Sequence, residues 1–106
     1  MAYQVLEKLH RLQDGFIQSY RVGTVDVLLV QWQGRLYGFH NHCPHQGAPL
    51  HHGAVFDGVI RCPLHGLEYR LEDGEPITGF SGTLKRIDLI YEGATVGVDL
   101  SGMPLG

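Results

Sequence analysis

Two short segments of the chain pair a cysteine with a histidine and could bind a metal. The first arm is Cys43-Pro44-His45, and the second arm, after 16 intervening residues, is Cys62-Pro63-Leu64-His65. Thiolate and imidazole are ligands for zinc and for iron, so the four side chains form a possible ligand set. Because Asp57-Gly58, a dipeptide that favours a tight hairpin, lies between the arms, the chain can turn back and bring them together.

This pattern has three possible interpretations. Two buried cysteines among surface histidines would need no metal, but cysteine and histidine recur here as matched pairs beside proline and glycine. A structural zinc site of two cysteines and two histidines is chemically complete, although zinc modules commonly place like ligands on each arm. In a Rieske [2Fe–2S] centre one iron has two thiolates and the other two imidazoles, which mixed arms would supply. Metal and acid-labile sulfide analysis separates the zinc site from the cluster.

The two arms resemble the signature of the Rieske ferredoxin family, closely over residues 42–80 and more loosely in the flanking strands. The resemblance implies one [2Fe–2S] cluster, with Cys43 and Cys62 on the buried iron and His45 and His65 on the outer iron. With both irons fully ligated by protein, no position remains for a substrate. We therefore expect no catalytic residues in this chain.

Other positions near the arms bear on the reduction potential that the resemblance implies. Rieske proteins of membrane-bound cytochrome complexes carry an extra cysteine in each arm, where this chain has Ala48 and Leu64, and a sulfide-bonding serine where it has Leu67. Tyr69 stands where those proteins place a tyrosine that bonds a ligating sulfur, but its alternation with Leu67 also fits core packing, the role we expect. The potential should lie in the lower part of the Rieske range of roughly −150 to +300 mV.

The remainder of the chain predicts short β-strands that would position the arms. Apolar residues alternate with period two, and no helical period is sustained over three turns. Three hairpins are indicated: residues 24–32 with 35–39, 54–56 with 59–61, and 87–91 with 95–98, with turns at Gln33-Gly34, Asp57-Gly58 and Glu92-Gly93. A further turn is expected at 72–75. Residues 40–53 hold five of the seven histidines and are expected to form a loop.

These elements predict an all-β fold, a small antiparallel β sandwich or partly open barrel. The resemblance implies a Rieske iron–sulfur protein-like fold with a cluster-binding loop subdomain at about residues 41–70. A length of 106 residues suits one domain, residues 1–106.

Charge and hydropathy exclude several classes of function. The formal net charge is −3, whereas nucleic-acid binding needs clustered positive charge. The longest aliphatic run, residues 27–30, is far shorter than the roughly 20 residues of a membrane span. The N-terminal residues show no signal-peptide pattern, so we expect a cytoplasmic protein.

The resemblance implies a soluble one-electron carrier rather than an enzyme. It would pass electrons from a flavin-dependent reductase to the terminal oxygenase of an aromatic-ring-hydroxylating system, docking transiently at the tip that carries His45 and His65. One alternative is the small Rieske-like subunit of assimilatory nitrite reductase, and another, of a different class, is a zinc-stabilised interaction module.

Side chains around the arms suggest a contact surface. A mostly uncharged collar is expected around the exposed imidazoles, formed by Pro44, Gln46, Pro49, Pro63, Leu64 and Leu67. The other histidines of the loop, His40, His42, His51 and His52, are expected to be solvated. The acidic residues of 68–75 are interpreted as a solvated hairpin, although they could steer a basic partner.

Overall fold

The strands are short and lie in three antiparallel sheets. The computed structural model of the protein describes residues 2–44, 47–64, 66–77 and 82–102. The strands in these ranges are β1 (Tyr3–Lys8), β2 (Ile17–Val22), β3 (Val25–Trp32), β4 (Arg35–His40), β5 (Ala54–Phe56), β6 (Val59–Arg61), β7 (Glu68–Arg70), β8 (Ile90–Glu92) and β9 (Thr95–Asp99). Short 3-10 helices cover Leu9–Arg11, Leu50–His52 and Leu100–Gly102. No helix within the described ranges is long and apolar enough to cross a membrane.

Each sheet contains three strands, in the orders β1-β9-β8, β2-β3-β4 and β5-β6-β7. The predicted all-β fold is confirmed. Two of the hairpins form as predicted, because Gln33 and Gly34, and likewise Asp57 and Gly58, have the positive φ angles of a tight two-residue turn. The β5–β6 hairpin joins the two arms, since the first arm precedes β5 and the second follows β6.

The third hairpin is shorter than predicted. Strand β8 begins at Ile90, and the turn lies at residues 93–94, because Glu92 pairs with Thr95. Ile87 lies outside the strand, where its amide donates to the carbonyl of Gly38 and its side chain is buried. The predicted turn at 72–75 is present, but the chain returns through a single bridge between Tyr69 and Pro76.

Two strands near the N-terminus carry little sequence signal. Leu6 is the only buried residue of β1, and Val22 is the only one of β2. Strand β1 pairs with β9, which is distant in sequence, whereas β2 pairs with the next strand along the chain, β3, across a turn at residues 23–24. A period-two pattern of apolar residues is therefore too weak to reveal them.

Strand β3 separates two hydrophobic clusters. Val25 and Val27 face the cluster between the β1-β9-β8 and β2-β3-β4 sheets, which also contains Leu6, Val22, Ile87 and Val98. Leu28 and Val30, which point to the opposite face of the strand, belong to the cluster that includes both cysteines, together with Phe39, Leu50, Ile60, Tyr69, Leu71 and Leu84. One largely buried strand thus supports both the sheet packing and the site.

A side-chain contact ties β1 to β2 at the edge of these sheets. The Tyr20 hydroxyl donates to a Glu7 carboxylate oxygen at 2.8 Å, and the backbone amide of Lys8 donates to the other oxygen at 3.0 Å. The pKa of Glu7 is lowered by the amide of Lys8 and by the Tyr20 hydroxyl. The pKa of Tyr20 is raised, chiefly by burial and then by its hydrogen bond to Glu7.

Replacing Tyr20 by phenylalanine removes the hydroxyl that donates to Glu7. The protein should therefore lose the stability contributed by this hydrogen bond to the ionised carboxylate. Because the folded pKa of Glu7 lies below its unfolded value, its contribution is present above the unfolded pKa and is lost as pH falls through the folded pKa. For Tyr20→Phe we expect a loss of about 0.5–1 kcal/mol at neutral pH and a smaller loss in acid, below the ordinary glutamate pKa of 4.5, both measured by urea unfolding. Tyr91→Phe, at an exposed tyrosine, is the control. An equal loss at both pH values would contradict a role for the ionised carboxylate.

Candidate metal centre

The first arm is a tight loop closed by its own backbone. The amide of Cys43 donates to the carbonyl of Ala48 at 2.8 Å, and the amide of Gly47 donates to the carbonyl of Cys43 at 2.7 Å. Gly47 has φ +73°, a conformation that side chains disfavour. The loop leaves the end of β4, so that Cys43 enters the core directly after the sheet.

The second arm repeats this loop at the end of β6. The amide of Cys62 donates to the carbonyl of Leu67 at 2.7 Å, and the amide of Gly66 donates to the carbonyl of Cys62 at 3.0 Å. Gly66 has φ +68°. In each arm the amide of the fourth residue after the cysteine donates to the cysteine carbonyl. The carbonyl of the fifth residue accepts from the cysteine amide. This shared geometry gives the two cysteines the same backbone surroundings.

The structure places Cys43 and Cys62 in one hydrophobic cluster. Each is 2% exposed, and both contact the cluster that contains Leu50 and Ile60. His45 and His65, the other predicted ligands, lie outside the described residues. The two predicted cysteine ligands, the half of the site within the described residues, thus lie in one cluster below the surface.

Tyr69 of β7 does more than the expected core packing. Its side chain is fully buried, and its hydroxyl lies 3.4 Å from the Sγ atom of Cys43. The next stretch of chain holds β7 in place, since the amide of Ile77 donates to the carbonyl of Glu68. Tyr69 therefore both fills the core and places a polar hydrogen next to a cysteine sulfur.

Asn41 connects the two ends of the first loop region, a role that no sequence pattern predicts. Asn41 is 3% exposed, and its backbone amide donates to the backbone carbonyl of Asp26. Its Oδ1 accepts from the backbone amide of His51 at 3.0 Å, so its Nδ2 must face the His51 ring, where it lies 2.8 Å from Nδ1. The neutral His51 ring then carries its proton on Nε2. His51 also stacks on His52, with 3.9 Å between ring centroids, so it is not simply a solvated residue.

His40 differs from its predicted place in the loop. It is the last residue of β4, and its amide donates to the carbonyl of Lys85 at 2.8 Å. Burial lowers the pKa of the His40 imidazole, and the positive charges of Lys85 and His42 lower it further. At neutral pH the ring is uncharged.

Four residues of the expected collar are exposed in the described part of the chain. Pro44, Pro49, Pro63 and Leu64 are exposed, with Leu64 at 55%. Leu67 is different, because it is partly buried and packs against the cluster of the two cysteines. Gln46 lies outside the described residues.

The donor chemistry of this site fits an iron–sulfur cluster. Two cysteines at equal depth, on matched loops, can bind iron as thiolates, and the Tyr69 hydroxyl can donate to the sulfur of one of them. A thiolate buried without such partners would be costly, because burial in apolar surroundings disfavours the charged form.

Known proteins resemble this chain in both sequence and fold. Residues 2–83 match the family model of the Rieske [2Fe-2S] domain. The ferredoxin component of the alkene monooxygenase system of Xanthobacter autotrophicus is 33% identical over 94 residues, covering 88% of this chain and 77% of that protein.

Two solved structures have the same fold. The ferredoxin of carbazole 1,9a-dioxygenase from Nocardioides aromaticivorans IC177 gives a TM-score of 0.82 at 24% identity, over 92% of this chain and 97% of that one. A complex of reduced oxygenase and oxidized ferredoxin in carbazole 1,9a-dioxygenase contains a chain with a TM-score of 0.81 at 23% identity, over 88% of this chain and 97% of that one. With the family match over most of its length, the chain belongs to the Rieske [2Fe-2S] domain family.

Proposed function

We propose that the protein is a one-electron carrier that receives electrons from a flavin-dependent reductase and delivers them to a terminal oxygenase, as in aromatic-ring-hydroxylating systems. The observation that carries this proposal is the pair of matched loops that bury Cys43 and Cys62 together. The 33% identical relative, a ferredoxin component of a monooxygenase system, supports the same role. We take residues 1–106 as one Rieske domain that works in the cytoplasm.

The four ligands of the cluster are, in this proposal, Cys43, His45, Cys62 and His65. When bound, the [2Fe–2S] cluster supplies a centre that takes up and releases one electron. The chain's own contribution is to hold the two thiolates away from water and to direct the Tyr69 hydroxyl at the sulfur of Cys43. In the sequence His45 follows the exposed Pro44, and His65 follows the exposed Leu64.

Electron transfer requires a partner to approach the tip closely. The exposed Pro44, Pro63 and Leu64 give this tip an uncharged surface that a partner can contact without displacing ordered charges. Electron-transfer complexes use small interfaces and dissociate readily, so contact with a few exposed side chains at the tip is enough for docking. With four protein ligands on two irons, the chain has no position at which to activate a substrate, and chemistry is left to the oxygenase.

Two alternatives differ from this proposal in observable ways. A zinc-stabilised interaction module would contain zinc and no sulfide, whereas membership of the Rieske family implies a [2Fe–2S] cluster. A small subunit of assimilatory nitrite reductase would carry the same cluster but stay bound to a sirohaem enzyme. Gel filtration of a native extract distinguishes the second alternative, because a free carrier elutes as a small protein.

The ligand set can be tested by composition and by a single substitution. We expect two iron atoms and two acid-labile sulfide ions per chain. Replacing the neutral imidazole of His65 by an anionic thiolate, His65→Cys, should strongly lower the reduction potential or abolish the cluster, as measured by redox titration.

His10→Cys is the matched control, since His10 is exposed and lies on a 3-10 helix outside both arms. It should leave the potential and the iron content unchanged. One zinc and no sulfide per chain would refute the proposed cofactor, and an intact cluster of unchanged potential in His65→Cys would show that His65 is not a ligand.

The contact between Tyr69 and Cys43 predicts a change in reduction potential. A hydrogen bond to a ligating sulfur stabilises the reduced, more negative state, so Tyr69→Phe should lower the potential by on the order of 20–60 mV, the equivalent of one hydrogen bond. Tyr37→Phe is the control, because Tyr37 is partly buried against the same cluster. If both variants shift the potential equally, the effect comes from packing and not from the hydroxyl.

A further inference from the structure

Charge is unevenly distributed along this acidic chain. Residues 40–56, 58–67 and 76–87 contain no aspartate or glutamate, although the whole chain has 11. These three segments include both arms, and their cationic residues other than histidine are Arg61, Lys85 and Arg86. The net charge of −3 therefore does not describe the end of the molecule that holds the arms.

Arg61 lies beside the second arm. It is exposed at the end of β6, and its guanidinium nitrogens are 3.1 and 3.2 Å from where a Cβ of Gly66 would stand. Together with Cys62, Pro63 and the exposed His52 it lines an open groove of about 440 Å³. The guanidinium thus extends along the arm.

Lys85 has the corresponding place beside the first arm. It is exposed, and with His40, His42, Pro44 and Thr83 it lines a cavity of about 190 Å³. Its charge acts on this cavity, since it contributes to lowering the pKa of His40. We name Arg61 and Lys85 the basic rim.

The basic rim has no ion pair within the described part of the chain. The two ion pairs found there are Arg21–Asp26 and Arg70–Asp73, both elsewhere. Glu68 is the register partner of Arg61, but it is half-buried, and the Arg61 guanidinium lies against Gly66 instead. Among the described residues, the basic rim thus places two cations beside the tip, neither of them in an ion pair, with Glu68 as the cross-strand neighbour of Arg61.

Of the carboxylates that follow β7, Asp73 is in an ion pair and Glu72 lines a cavity that contains neither arm. Asp73 accepts from Arg70 at 2.7 Å, which lowers the pKa of Asp73. Glu72 lines a different cavity with Asp57, which lies in the β5–β6 turn, at the end of that hairpin away from Cys62. Asp57 thus lies at the far end of the β5-β6-β7 sheet, whereas Glu68 lies at the arm end, opposite Arg61.

We propose that the basic rim makes the tip a docking surface for an acidic face of the electron-transfer partner, that is, a protein surface bearing carboxylates around its redox centre. This inference rests on the proposed function and adds the charge of the partner to it. Complementary charge raises the association rate and orients the encounter, and it does so most at low salt.

Outer-sphere oxidation of the reduced holoprotein measures this local charge. Stopped-flow mixing with ferricyanide, a trianion, or hexaamminecobalt(III), a trication, moves one electron from the protein to the metal of the complex. The reaction is run at about pH 8, above the ordinary pKa range of an imidazole, so that arginine and lysine supply the positive charge. Raising the ionic strength from about 20 to about 200 mM shortens the screening length from about 20 to about 7 Å.

We expect ferricyanide oxidation of the wild-type protein to slow severalfold as salt is added, as for opposite charges, despite the net negative charge of the chain. Hexaamminecobalt(III) oxidation should not slow. Arg61→Glu and Lys85→Glu should each lower the ferricyanide rate at low salt, and the double variant should lower it by about tenfold and reverse the salt dependence. Arg35→Glu makes the same change of charge at the opposite end of β4 and should alter the rate less than about twofold.

Redox titration of each variant allows the rates to be compared at known driving force. A ferricyanide rate that rises with salt in the wild-type protein would overturn the acidic-partner inference and indicate a basic partner, while leaving the carrier function intact. An equal effect of Arg35→Glu and Arg61→Glu would also overturn it, because net charge would then suffice. A protein with no reducible cluster would instead refute the proposed function.

Discussion

The burial of two cysteine thiols side by side is the constraint on which the rest of the structure depends. Each cysteine is 2% exposed, and each begins a loop closed by the same two backbone hydrogen bonds. A metal-binding thiolate at this depth needs compensating charge or hydrogen bonds, because an apolar environment disfavours the anion. The fold meets part of this requirement with the Tyr69 hydroxyl, which lies 3.4 Å from the Sγ atom of Cys43.

The sheets supply the rigid support for these loops. Strand β3 contributes Leu28 and Val30 to the cluster around the cysteines and Val25 and Val27 to the cluster between the other sheets. A disturbance in either cluster therefore reaches the other through a single strand. Strands β8 and β9 lie beyond residues 2–83, the part that matches the family model, yet they complete the sheet of β1.

Short-range signals made a large part of this architecture predictable. The tight turns at Gln33-Gly34 and Asp57-Gly58, and the two arms, are each encoded by a few adjacent residues whose geometry is nearly independent of context. Strands β1 and β2 were missed because each has one buried residue, so that pairing with another strand, the distant β9 for β1 and the adjacent β3 for β2, defines it rather than periodicity. The same holds for Asn41, whose role depends on His51, a residue that comes near only after the loop has folded. The basic rim likewise required three separate segments to be placed in space.

The matched loops have a consequence for the speed of electron transfer. Their amides and carbonyls are already bonded within each loop, and Asn41 fastens the first loop to His51 through both ends of its amide group. Polar groups held in this way have little freedom to reorient when the charge at the centre changes by one electron. The environment is thus preorganised for both oxidation states, and the barrier from rearranging the surroundings is small.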